Sequence, residues 1–412
     1  MNALDTTHLI EDFPLLTAPP VDGRRLVYLD SATTSQKPLA VIDAMDQFLR
    51  EAYGPINRSA YRLAAAATDA YEAARSKVAQ FINAASSDEV VFTRNATDAL
   101  NLFAQSWSRT HLNSGDVVVL THMEHHANIV PWQMMAAERG IELRWIPLTE
   151  DGRLDLSDLD NIIDGASVVS FTAMSNVLGT LNPVTELCQR ASDAGAVTMV
   201  DACQSVPHSP TDVAGWGADL CAFSSHKMLG PTGLGVLWGR AEILEKLPPM
   251  IGGGNMIDDV TLEGYSCAPV PTRFEAGTGQ LVEAIGLGAA IDYLNAIGMD
   301  AIREHERSLT EYAITAFEAA FGDDISIHGP RDLDQRGGVL SFAFRDLHPH
   351  DVSQVLDEYR VCVRAGHHCA KPLMRLLNAP ATVRASLYLY NTPDDIDICI
   401  EALSSAGDIF GF

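Results

Sequence analysis

From Val117 onward the chain alternates short apolar runs with amphipathic stretches of helical period: Val117 to Leu120, Leu143 to Leu148, Val168 to Ala173, Val197 to Val200, Leu220 to Phe223 and Val236 to Trp238. Runs this short, bounded by Gly, Asp and Pro, predict buried parallel strands joined by crossover helices, because a strand covered on both faces has no polar side to show. The expected fold class is α/β. Sheets of this kind bind ligands beyond the carboxyl ends of their strands, so the polar residues that directly follow each run are the first candidates for a site.

Gly252-Gly253-Gly254 and the stretch from Asn255 to Pro271 lack periodicity and read as a loop or hairpin excursion. Helical patterns follow over Leu281 to Ile297 and Ile302 to Phe321. Strand-like runs then return at Val339 to Phe344, Val361 to Arg364 and Val383 to Tyr390, with a helix expected over Asp351 to Tyr359. These predict a second, smaller α+β lobe, and 412 residues of 47% apolar composition are enough to bury two cores. The expected division is an N-terminal arm over 1–25, a large domain over 26–290 and a small domain over 291–412. A net charge of −26 repels nucleic-acid phosphates and anionic lipid, so neither is an expected partner. No apolar run approaches the roughly 20 residues of a membrane-spanning helix, and Met1 to Glu11 carries no basic-then-apolar signal pattern, so a cytoplasmic location is expected. Seven cysteines without a CxxC pair read as reduced thiols.

Two strand ends carry the chemistry. Asp201 follows the run ending at Val200, with Gln204 three residues on; Leu220 to Phe223 runs into Ser224-Ser225-His226-Lys227. Singly, each has a plain alternative: an aspartate after a strand is most often a helix cap or a solvated loop residue, and a loop lysine a solvated charge. Together they supply an amine for an imine, a carboxylate for a pyridinium proton, and hydroxyl and imidazole donors for a phosphate, which describes pyridoxal phosphate. Gln204 suits the ring's phenolic oxygen. Upstream, Asn95 to Asn101 opens a helix after Val90 to Thr93, and a helix N-terminus offers free N–H groups to a phosphate; Thr97 is the expected hydroxyl contact, with an ordinary N-cap at Thr97 or Asn95 as the alternative.

The segments Leu29 to Pro38, Glu124-His125-His126-Ala127-Asn128 with Ile129 to Trp132, Ser175 to Thr180, Ser225-His226-Lys227, Arg273 to Thr278 and Arg364-Ala365-Gly366-His367-His368-Cys369-Ala370 resemble the class V aminotransferase family, and within it the SufS/CsdA type of cysteine desulfurase. The resemblance implies a fold type I homodimer whose large domain holds a mostly parallel seven-stranded sheet, with a small C-terminal domain carrying the cysteine loop. It implies pyridoxal phosphate on Lys227, held by Asp201, Gln204, Thr97, Asp98, Ser224 and His226, with His125 stacked on the ring and Thr278 reaching the neighbouring subunit's phosphate. L-cysteine is the implied substrate, its carboxylate gripped by Asn176 and Arg384, with Arg364 and Arg58 nearby. Cys369 is the implied persulfide carrier, and two imidazoles together with Arg364 should favour its thiolate. Iron-sulfur cluster assembly is the implied destination of the sulfur. A histidine at the position of His350 marks relatives that serve a zinc-containing SufU-type acceptor, which is therefore favoured over a SufE-like one. No bound metal is expected.

Three stretches depart from the family pattern: Ile56-Asn57-Arg58-Ser59-Ala60-Tyr61 lacks two histidines, Asn95-Ala96-Thr97 lacks a hydroxyl, and Gly279-Gln280 replaces a Pro-Asn pair. Selenocysteine lyase, another class V lyase or epimerase, and a catalytically silent assembly scaffold are the competing readings. Neither alternative enzyme needs Cys369, and a scaffold needs neither Lys227 nor Asp201.

Overall fold

The computed structural model describes residues 6–56 and 60–410. After a short strand β1 (Val27–Tyr28), seven strands form the central sheet: β2 (Val90–Thr93), β3 (Val117–Thr121), β4 (Glu142–Ile146), β5 (Ala166–Thr172), β6 (Val197–Asp201), β7 (Leu220–Ser224) and β8 (Gly235–Gly239). Their order is β2-β8-β7-β6-β5-β3-β4. The neighbours from β7 to β4 pair in parallel, whereas β8 is antiparallel to both β7 and β2. The expectation of a parallel strand at Val236 to Trp238 is thereby corrected. Only residues 225–234 separate β8 from β7, and they contain a single 3₁₀ turn; a parallel return needs a longer crossover, usually a helix.

The buried runs do what their composition demands. Along β3, Val117 and Val119 enter the core on one face of the sheet and Val118 and Leu120 the core on the other, the strand period of two in a fully covered sheet. Helices Arg62–Phe81 and Leu281–Ile297 cover the first face, and Ala96–His111 and Val130–Arg139 the second.

Strands β9 (Ile257–Val260) and β10 (Tyr265–Cys267) form the hairpin expected after the triple glycine. Helix Met299–Phe321 leads into a four-stranded antiparallel sheet, ordered β11-β12-β15-β14, made of β11 (Ile325–His328), β12 (Val339–Phe344), β14 (Arg364–Gly366) and β15 (Thr382–Ser386). The run Val361 to Arg364 splits: β13 (Val361–Cys362) leaves this sheet to pair in parallel with β1, and Val27 and Leu29 join the second lobe's core. The run Val383 to Tyr390 stops pairing at Ser386; Leu387 to Tyr390 stay buried as coil. Apolarity there reports burial, which a short run cannot distinguish from strand pairing.

Candidate active site

β2, β5, β6 and β7 run in the same direction, so Thr93, Thr172, Asp201 and Ser224 end them at one edge of the sheet. A cavity of about 250 Å³ opens there. It gathers Thr97, His125, Asn176, Asp201, Gln204, Ser224, His226, Lys227, Arg364 and Arg384 from seven segments of the chain. Asn95 caps helix Ala96–His111, its side chain accepting from the Asp98 N–H at 2.9 Å, and the Ala96 N–H donates to Ser224 Oγ at 2.9 Å. A Cβ on Gly235 would lie 2.3 Å from the Asn95 carbonyl carbon, so only glycine lets the helix start sit this close to β8.

Lys227 ends a 3₁₀ turn whose position is set from a distant segment. The His226 carbonyl accepts from the Ser35 N–H, the Thr34 hydroxyl and the Lys37 ammonium, each at 3.0 Å, and the Leu229 N–H donates to Ser35 Oγ at 2.8 Å. Lys37 is half-buried, and burial lowers its amine to about 8.

At the cavity's other end, Arg364 and Arg384 are direct cross-strand partners on β14 and β15. Like charges in that relation repel, so the pair calls for an anion. Asp30 supplies one, accepting from Arg384 Nη2 at 3.0 Å, while Arg384 Nη1 bonds the Asn176 carbonyl at 3.0 Å. Arg364 Nη2 reaches Cys369 Sγ at 3.5 Å. His368 and Cys369 both have left-handed backbones (φ 49° and 56°), a conformation side chains disfavour. Bonds from Asn176 Nδ2 to the His368 carbonyl and from the His126 N–H to the Cys369 carbonyl, both 2.8 Å, hold the bend.

The family described as aminotransferase class-V matches residues 27–399. A Streptomyces coelicolor protein named "Probable cysteine desulfurase" is 50% identical over 99% of this chain and 98% of its own. The chain belongs to the class-V aminotransferases, in their cysteine desulfurase branch. Among solved structures, the cysteine desulfurase of Thermococcus onnurineus superposes with a TM-score of 0.93 at 38% identity, covering 98% of both chains. CsdA of Escherichia coli does so with a TM-score of 0.89 at 36% identity, over 99% of this chain and all of that one.

A pyridoxal phosphate fits the residues present. Gln204 Oε1 and His226 Nδ1 are buried without a hydrogen-bond partner among the described residues, a costly state that a polar ligand relieves. Gln204 Nε2 donates to the Ala32 carbonyl at 2.8 Å and keeps a second N–H. The His125 ring accepts from the Ala127 N–H through Nδ1 at 3.0 Å, which leaves the ring hydrogen of its neutral form on Nε2. Behind it, burial pushes the Glu124 carboxyl up to about 8, against donation from the Thr121 hydroxyl, the Asn128 amide and the Thr172 N–H.

Three described candidates lie elsewhere. Asp98 pairs with Arg94 at 2.7 Å and lines, with Thr278, a separate hollow. His350 is exposed in the first turn of helix Pro349–Glu358. Arg58 falls outside the described residues. The expected help of both imidazoles to the Cys369 thiolate is corrected: His368 turns to the Thr382 hydroxyl (2.9 Å), and burial with Arg384 and Arg364 lowers it to about 3, so it is neutral. Arg364 is the cation at the sulfur.

Burial, reinforced by Lys227, also lowers His125 and His226 to about 4, with Asp201 pulling His125 upward. Unfolded, all three histidines titrate near 6.5. The unfolded chain therefore takes up more protons as pH falls from there toward 4, and stability fully present above about 6.5 is lost through that window. The Tm of the apoprotein is expected to fall by several degrees between about pH 7 and about pH 4.5; a flat Tm contradicts the burial of neutral imidazoles.

Proposed function

We propose that this desulfurase carries pyridoxal phosphate on Lys227, takes sulfur from L-cysteine onto Cys369 and hands it to a zinc-containing SufU-like acceptor for iron-sulfur cluster assembly, as a cytoplasmic homodimer. The observation that carries the reading is one cavity bounded by Lys227 and Asp201 on one side and by the Arg364–Arg384 pair, with Cys369 bonded to Arg364, on the other.

When bound, the cofactor supplies an electron sink for the substrate's Cα. Asp201 would hold its ring nitrogen protonated, His125 would cover the ring, Gln204 would meet the phenolic oxygen, and Thr97, Ser224 and His226 would take the phosphate. Asp98, in the same first helical turn as Thr97, would help to hold the cofactor, and Thr278 would reach the partner subunit's phosphate. Lys227 moves the Cα proton once its amine is free. Arg384 and Asn176, with Arg364 and Arg58, orient the substrate carboxylate. The Cys369 thiolate forms a bond to the substrate sulfur as the Cβ–S bond breaks; the electron pair stays with the carbon fragment, which takes up a proton and leaves as alanine, and Cys369 is left as a persulfide. A domain division near residue 290 puts the cysteine loop on the smaller lobe.

The acceptor is tested through His350. Its backbone N–H is anchored by His348 Nδ1 at 3.3 Å and the two rings stack at 5.3 Å, leaving an exposed imidazole to meet a partner's zinc. A SufU-like acceptor is expected to raise turnover at least about tenfold with the native chain and not with His350→Ala, and a SufE-like acceptor to leave both unchanged. An equal gain in both chains removes this partner.

A further inference from the structure

We propose that Thr33 is a positioning residue for the substrate's carboxylate: its single hydroxyl sets the spacing of Arg364 and Arg384. This rests on the reading of those arginines as the carboxylate's binding site.

A threonine hydroxyl can donate one hydrogen bond and accept two. Thr33 Oγ1 uses all three: it donates to Asp30 Oδ1 at 2.8 Å and accepts from Arg384 Nη2 at 2.7 Å and from Arg364 Nη1 at 3.1 Å. Thr33, Arg364 and Arg384 all line the cavity. Repulsion drives the two guanidinium groups apart across β14 and β15, and one shared acceptor holds them together. Arg384 is almost completely buried and its Nε has no partner among the described residues, so the bonds at its Nη atoms and its packing fix its orientation. Asp30 neutralises one of the two charges, which leaves the pair with a surplus positive charge for a carboxylate.

The alternative, a hydroxyl that merely occupies the place of the carboxylate and competes with it, predicts the opposite sign on removal. The test compares native protein with Thr33→Val, which keeps the shape without the hydroxyl, and Thr33→Ser, which keeps the hydroxyl. L-cysteine is set against cysteamine, the same thiol and amine without the carboxylate. Binding is also read without turnover, as the saturating change in cofactor absorption in a Cys369→Ala background. Thr33→Val is expected to raise both the KM and the half-saturation for L-cysteine about tenfold with kcat changed less than about twofold, to leave cysteamine unmoved, and to be reversed in Thr33→Ser. An unchanged or lowered KM in Thr33→Val, or a parallel shift for cysteamine, overturns the proposal. Arg384→Lys serves as the control on the reading beneath it. If that variant binds L-cysteine as the native chain does, the carboxylate site is elsewhere and the proposal falls with it; if it binds weakly while Thr33→Val is native-like, only the role of Thr33 is lost.

Discussion

Lys227→Ala is expected to give a folded protein that stays colourless with pyridoxal phosphate and turns over L-cysteine at least on the order of 10⁴-fold more slowly. The amine is both the point of covalent attachment and the group that moves the Cα proton, so both functions leave together. The turn itself survives the substitution. The bonds that hold it go to backbone groups, the His226 carbonyl and the Leu229 N–H, and their partners lie on residues 34–37. A Tm within a degree or two of the native apoprotein checks this, and absorption after cofactor addition reads the attachment. A yellow variant with appreciable turnover would move the reactive amine to another residue.

The second large effect is at the sulfur. Cys369→Ala should keep the yellow colour and still respond spectrally to L-cysteine, yet lose alanine and sulfide formation by at least about two orders of magnitude and show no persulfide on alkylation and mass analysis. Cys369 Sγ contacts Arg364, at the end of the cavity away from Lys227 and Asp201, so cofactor loading is independent of it. Alanine production that survives the substitution would instead favour the lyase reading, in which sulfur or selenium leaves without a protein nucleophile. Three of the other thiols are disfavoured as substitutes by burial. Cys188, Cys221 and Cys399 are buried, and burial raises each of them, which disfavours the thiolate that attacks.

The local pattern already contained much of this molecule. Val339 to Phe344 and Leu281 to Ile297 form a strand and a helix with the bounds their periodicity predicts. Asp201 and the Ser224 to Lys227 stretch were legible because a carboxylate and an amine directly after two apolar runs stand at the same edge of a parallel sheet. The arginine pair was only half legible. Arg384 stood out as a charge within an apolar strand, but its register against Arg364 depends on which strands become neighbours. Asp30, Thr33 and Lys37 went unassigned for the same reason. They sit in a polar stretch after the first strand, where each reads as an ordinary loop residue until the fold lays that stretch against His226 and β15.

By itself the sequence determined the α/β class, the strands that carry an acid and an amine, and the cysteine flanked by Arg364 and two histidines, since each depends on periodicity or on residues adjacent in the chain. Tertiary structure decided the antiparallel course of β8, the departure of β13 to pair with β1, the turning away of His368 and the threonine bridge between two arginines. Those are contacts between segments up to several hundred residues apart, and hydrogen bonds and charge repulsion act on distance in space, which the order of residues along a chain does not record.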